Sequence, residues 1–255
     1  MMLYTRRTFD FEYKPEEADA VLLGIPWDST STGRPVRYGP LFIRQAIREL
    51  VGWDPETRFN PFEKLKLADL GDLEVVEGDW RETEKRIADT LKGVRFPVIL
   101  GGDHLVSLGV VKALKPKAIV QLDAHPDMHP EWMGNPFTHL TWAWHASKIC
   151  PVYQPACRIW AEDEEVRKGL PKKGPVYLTI DLDVLDPREA PEVGNPEPGG
   201  LTWEELLEIV RRVCKLGLIG FDLVECAADR VGSQTACRAA NLFKKILCYL
   251  WHEKG

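Results

Sequence analysis

Two short segments, Gln121-Leu122-Asp123-Ala124-His125-Pro126-Asp127 and Thr179-Ile180-Asp181-Leu182-Asp183, hold four carboxylates and an imidazole. Each follows an apolar run, 118–120 and 176–178, with the pattern of a buried strand. Alternate side chains of an extended chain point the same way. That predicts convergence of Asp123, His125 and Asp127, and of Asp181 with Asp183. Gathered at strand ends, such groups repel one another and lose hydration unless cations lie among them. The chemistry to expect is metal binding.

With His104, which closes Gly101-Gly102-Asp103-His104, the candidate ligands are His104, Asp123, His125, Asp127, Asp181 and Asp183. Four of the six donate hard oxygen and none is a cysteine, which favours Mn²⁺ or a similar ion over structural Zn²⁺. Six side chains are too many for one ion with an open position, but they suit two ions bridged by carboxylates. Such a pair, roughly 3.5–4 Å apart, can activate a bridging water at neutral pH. With a bridging hydroxide the centre would be slightly anionic and would tolerate a cationic substrate. Taken singly, either aspartate motif also reads as turn or capping chemistry. Three motifs that each follow a strand do not fit that reading.

The elements that must position these groups alternate along the chain. Strand-like runs occur at 20–23, 65–68, 97–100, 118–122, 158–160, 176–180 and 216–223. Amphipathic helical patterns occupy 40–50, 80–91, 104–114, 203–215 and 233–251, and Thr202 with Glu205 reads as a capping box. This alternation predicts one α/β domain, a mostly parallel sheet covered on both faces. Every polar cluster comes just after a strand, and open parallel sheets bind ligands at the carboxyl ends of their strands.

Composition narrows the function. A net charge of −6 with no basic run argues against nucleic acid as a partner. No apolar stretch approaches the roughly 20 residues that span a bilayer. Residues 1–10 carry Arg6 and Arg7 without an apolar core, so a cytoplasmic location is expected. The six cysteines form no Cys-x-x-Cys pair and read as reduced, packed thiols. Few Asn and Gln beside many Glu, Lys and Pro lean towards a thermophilic source.

The motifs in this order resemble the ureohydrolase family of arginases, agmatinases and formiminoglutamases, with agmatinases the nearest in pattern. The resemblance runs from Leu23-Gly24-Ile25-Pro26-Trp27-Asp28 and Gly33-Arg34-Pro35-Val36-Arg37-Tyr38-Gly39-Pro40 through Asp69-Leu70-Gly71-Asp72 and the three metal motifs. It ends with Pro196-Glu197-Pro198-Gly199-Gly200 and Phe221 to Glu225. It implies a three-layer α/β/α sandwich, arginase-like, with two Mn²⁺ ions per subunit. By that likeness Asp123 and Asp181 bridge the ions, His104 and Asp127 complete one, and His125 and Asp183 complete the other. The implied reaction is hydrolysis of a guanidino carbon to urea and an amine by a metal-bridging hydroxide. His139 matches the family's proton-shuttling histidine and Glu225 its guanidinium-binding carboxylate. A trimer or hexamer is also implied. Asp186 reads as a loop-shaping acceptor.

Leu105, Leu140, Glu192 and Cys226-Ala227-Ala228 depart from the family pattern without removing a ligand. The loop 128–138 shows no arginase-like pattern, which favours a guanidino-amine such as agmatine as the small-molecule substrate. In that loop Glu131 is a candidate for a second cationic group, or simply a solvated glutamate. His129 is a candidate substrate contact or a plain loop histidine. Trp132, Trp142, Trp144 and Trp160 read as core or subunit-interface packing. Arginase, guanidinobutyrase or formiminoglutamase activity, or an inactive metal-binding subunit of an oligomer, remain the alternatives.

Overall fold

Strands buried on both sides need long apolar runs, because helices cover each face of a parallel sheet. In a computed structural model that describes residues 13–28 and 34–252, seven strands, most of them such runs, form one all-parallel sheet. The strands are β1 (Ala20–Ile25), β2 (Leu67–Asp72), β3 (Pro97–Gly101), β4 (Ala118–Leu122), β5 (Val152–Tyr153), β6 (Val176–Asp181) and β7 (Leu218–Val224). Their order across the sheet is β2-β1-β3-β7-β6-β4-β5. The readings of residues 1–10 and Gly33 fall outside the described residues.

Helices α1 (Gly39–Arg48), α2 (Pro61–Lys64), α3 (Trp80–Thr90), α4 (Val106–Leu114), α5 (Trp142–Ser147), α6 (Trp203–Cys214) and α7 (Gln234–Trp251) cover the sheet. Alternation sorts the strand side chains between the two faces. Val98, Leu100, Val120, Leu122, Leu178 and Ile180 pack with α1, α6 and α7. Ile99, Ile119 and Tyr177 pack on the other side with α3, α4 and α5. This is the expected three-layer α/β/α arrangement. Thr202 and Glu205 close the expected capping box at the start of α6.

The segment 158–160 is not a strand, contrary to its apolar look. The Arg158 and Ile159 N–H groups both turn to the Ala124 carbonyl, and Ile159 and Trp160 are exposed. Strand β5, which takes the edge beside β4, had no sequence signal at two residues long. The helix foreseen over 104–114 begins only at Val106, because the Asp103 carboxylate accepts the Leu105 N–H and bends the chain there. The first strand after residue 64 begins at Leu67 rather than Leu65 and continues to Asp72.

Register then places the chemistry. Leu122 pairs with Ile180 and Asp181 with Val224, so Asp123 follows β4 directly beside Asp181. The Glu225 N–H reaches back to the Gly102 carbonyl at 2.9 Å, joining the ends of β7 and β3. A Cβ on Gly102 would lie 1.9 Å from the Trp27 carbonyl oxygen, so only glycine fits this crossing. Gly102→Ala is therefore expected to lower stability by about 1–3 kcal/mol in urea denaturation. An unchanged midpoint would show that the crossing can relax.

Candidate metal centre

Burying several carboxylates together is unfavourable unless each finds donors or positive charge. Here Asp123, Asp127, Asp181 and Asp183 are all buried, with His104 among them and His125 half-buried. Their ligand atoms gather into two groups, His104 with Asp123 and Asp181, and Asp123 with His125 and Asp183. Asp123 belongs to both. His104 Nδ1 lies 3.1 Å from Asp123 Oδ2, 3.3 Å from Asp127 Oδ2 and 3.5 Å from Asp181 Oδ2. His125 Nδ1 lies 2.9 Å from Asp183 Oδ2 and 3.6 Å from Asp123 Oδ1. All six candidate ligands thus meet on one rim.

The convergence does not come from an extended chain. After β4 the backbone turns: Asp123 Oδ1 accepts the His125 N–H at 2.6 Å, and Asp127 sits in the left-handed region at φ 55°. Asp181 ends β6 and accepts the Asp183 N–H at 2.8 Å, opening a 3-10 turn over Leu182–Val184. Glu225 is also left-handed, at φ 62°. A non-glycine residue in that conformation costs of order 1–3 kcal/mol and persists only where its surroundings fix it.

The electrostatics show where positive charge is wanted. Burial, then the charges of Asp183 and Asp123, pushes the Asp181 carboxyl well above its ordinary value. Burial and Asp123 raise Asp127 to about 6. Burial opposes charge on Asp123, yet His104 and His125 hold it below the usual carboxylate range. Burial likewise opposes charge on the histidines, but Asp123 and Asp183 carry His125 up to about 12. Asp123, Asp127 and Asp181 raise His104 in the same way.

The residues fit divalent ions. His104 Nδ1 is buried without a hydrogen bond, although three carboxylate oxygens lie within 3.5 Å. It has ion-pair distances without hydrogen-bond alignment, as a nitrogen aimed at a shared cation would. The donor set, oxygen-rich and without sulfur, suits an oxygen-preferring ion.

Several supports were not foreseen from the sequence. Trp142, expected only as packing, donates its Nε1–H to Asp127 Oδ2 at 2.9 Å and stacks on His104 at 4.5 Å. Gln121 donates to Asp123 Oδ2 at 2.8 Å and accepts from Gln154 at 2.9 Å. A glutamine in a buried strand, two residues before the aspartate, was the available signal. Asn195 Nδ2 lies 3.1 Å and Glu197 Oε1 3.5 Å from His125 Nε2. Arg158 ties the carbonyls of Asp183, Val184, Glu197 and Pro198 together. Asp186 shapes its loop as expected, accepting the Arg188 and Gly199 N–H groups.

Glu225 is buried at the same rim and accepts the His104 N–H at 2.9 Å. Burial, then Asp181 and Asp103, raises its carboxyl well above the ordinary value. His139 is half-buried, its Nδ1 buried without a partner. Burial, then the positive charge of His104, lowers it to about 4. His129 lies against Trp132 and 3.6 Å from Glu164, and Glu131 is exposed. Neither is among the gathered ligand groups.

The chain belongs to the arginase family, whose model matches residues 18–158 and 156–248. It is 34% identical to the N(1)-aminopropylagmatine ureohydrolase of Thermococcus kodakarensis, over 94% of each chain. It is 33% identical to an agmatinase of Pyrococcus horikoshii, over 97% of this chain and 98% of that one. The agmatine ureohydrolase structure of Thermoplasma volcanium matches with a TM-score of 0.86 at 26% identity, covering 99% of this chain and 97% of that one. Among the described residues no helix is long and apolar enough to cross a membrane.

The low position of His139 has a thermodynamic sign. Its folded pKa of about 4 lies below the ordinary 6.5, so the unfolded chain takes up this proton first. The folded state therefore loses stability to this group as pH falls from about 6.5 to about 4. His139→Gln should lack that loss. Its denaturation midpoint should improve relative to the wild type between about pH 7 and pH 5, and an unchanged difference would contradict the buried, neutral imidazole.

Proposed function

We propose that this chain is a Mn²⁺-dependent ureohydrolase that splits agmatine or a related guanidino-amine into urea and an amine. Family membership makes it a hydrolase of guanidino carbon–nitrogen bonds. The observation that carries the metal reading is the buried pair of ligand groups sharing Asp123. In this reading His104, Asp123, Asp127 and Asp181 hold one ion, and Asp123, His125, Asp181 and Asp183 the other. Two bound divalent ions would supply Lewis acidity and lower the pKa of water at neutral pH.

The protein's own groups do the rest. A guanidinium is a planar cation, and Glu225 is a buried carboxylate whose charge its neighbours disfavour. Pairing the two relieves that conflict and turns the guanidino carbon towards the ligand rim. His139, held neutral, can take up a proton and pass it to the departing amine. The loop 128–138 offers no lysine or arginine to receive a carboxylate, which favours an amine tail over an amino-acid tail. Glu131, and His129 beside Trp132, stand on that loop as contacts for a longer polyamine-like substrate. Exposed Trp132, Met133, Ile159 and Trp160 would suit the contacts of a cytoplasmic homo-oligomer.

Urea release from the Mn²⁺-loaded protein should be fastest with agmatine or aminopropylagmatine and slower with arginine and guanidinobutyrate. Urea from none of the four would reject the substrate class. Asp123→Asn should abolish turnover and lower metal occupancy together. His139→Asn should lower kcat by about 10²–10⁴-fold while leaving metal content unchanged; full kcat would remove it from proton transfer.

A further inference from the structure

A side chain that passes a proton to a departing amine must be held at a fixed reach. His139 Nδ1 is buried with no hydrogen-bond partner, so the turn that carries the ring has to place it. That turn is fastened at several points. The Phe137 N–H donates to Asn135 Oδ1 at 2.9 Å, and the Thr138 N–H donates to Thr141 Oγ1 at 2.9 Å. The Thr141 hydroxyl in turn faces the Pro136 carbonyl at 2.8 Å and the Thr138 carbonyl at 3.0 Å.

The anchor from outside the turn is His145, on α5. Its Nε2 lies 2.7 Å from the Pro136 carbonyl oxygen. A carbonyl only accepts, so Nε2 carries a proton and donates it. The same imidazole stacks on Phe137, with ring centres 4.9 Å apart and planes at 23°. Arg81 of α3 and Lys112 of α4 stand over that phenyl ring at 5.5 and 6.0 Å. Cations over an aromatic face add attraction to the packing.

The start of α5 is tied to the ligand rim. Trp142 donates its Nε1–H to Asp127 Oδ2, and the Trp144 N–H reaches the Asp127 carbonyl at 3.3 Å. Trp142 and His145 lie one turn apart on this short helix, so α5 holds the turn of His139 at a set distance from Asp127.

We propose that His145, through the Pro136 carbonyl and the Phe137 ring, is a positioning residue that sets the reach of His139 to the ligand rim. Its effect on turnover rests on the proton-transfer reading of His139 given above. The anchoring can be measured without substrate or metal.

His145→Phe keeps a ring beside Phe137 and removes the donor. Hydrogen exchange in the metal-free protein should then find the Phe137 and Thr138 amides about 2–10-fold faster than in the wild type. With Mn²⁺ bound, kcat should fall about 10–10²-fold while KM and metal content stay unchanged. The side-chain amide of His145→Gln can donate to the same carbonyl and should recover part of that loss. An effect exerted through His139 must vanish with it, so His145→Phe added to His139→Asn should lower kcat no further. If His145→Phe does not fold, Phe137→Leu, which removes the stacking partner, should show the same dependence on His139.

Unchanged amide exchange in folded His145→Phe would overturn the proposal. So would a loss of kcat that multiplies in full with that of His139→Asn, or a rise in KM in place of a fall in kcat. Full kcat in His139→Asn alone would instead overturn the proton-transfer reading, and with it the effect on turnover, whatever the exchange rates.

Discussion

Mutual repulsion among buried carboxylates governs this molecule. Asp123, Asp127, Asp181 and Asp183 stand within a few ångströms of one another, with Asp103, Asp222 and Glu225 buried close behind. In so little water their charges cannot be screened, and the protein answers with two imidazoles and backbone N–H donors, in groups that could hold cations. The sheet order follows the same need. Strands β3, β7, β6 and β4 are adjacent, so four carboxyl-terminal ends deliver their loops to one place. Left-handed Asp127 and Glu225 add local strain that only such a tightly held surround can sustain.

The gathering of the six candidate ligands at one rim and the three layers were legible because both depend on short-range pattern. Apolar runs buried on both faces look alike wherever they occur, and a polar residue just after one must lie at the sheet's rim. The error at 158–160 came from the same rule, since the apolar pair Ile159-Trp160 cannot reveal that the preceding Arg158 is drawn away by carbonyls from residues 183 to 198. The supports around the ligands were illegible for a different reason. Trp142, Gln154 and Asn195 act through partners between 15 and 70 residues away, and no local spacing records such a contact. The convergence of Asp123, His125 and Asp127 was foreseen through an alternation that the backbone does not use. A turn braced by the Asp123 carboxylate brings them together instead.

Several departures from the family pattern, Leu105, Glu192 and Cys226-Ala227 among them, have structural roles. Leu105 is fully buried in the core on the α3–α4 side, where apolar packing replaces a small polar group. Glu192 accepts both the N–H and the hydroxyl of Thr235, and its own N–H bonds the same hydroxyl, fastening the first turn of α7. The Ala227 N–H bonds the Glu192 carbonyl, and Val193 bridges to Cys226, so this clasp sits directly behind Glu225. Residues that look like losses in the motif brace the carboxylate they flank.

Arg158 has a consequence for how such a rim can change. One guanidinium spreads its donors over four carbonyls from two separate loops, a task its flat, forked shape allows and an ammonium group could not repeat. The two loops therefore behave as a single stiff jaw, and neither can drift without pulling the other. New specificities would then have to arise in stretches free of this clamp, such as the exposed one around Trp132 and Met133, while the clamped loops keep their shape.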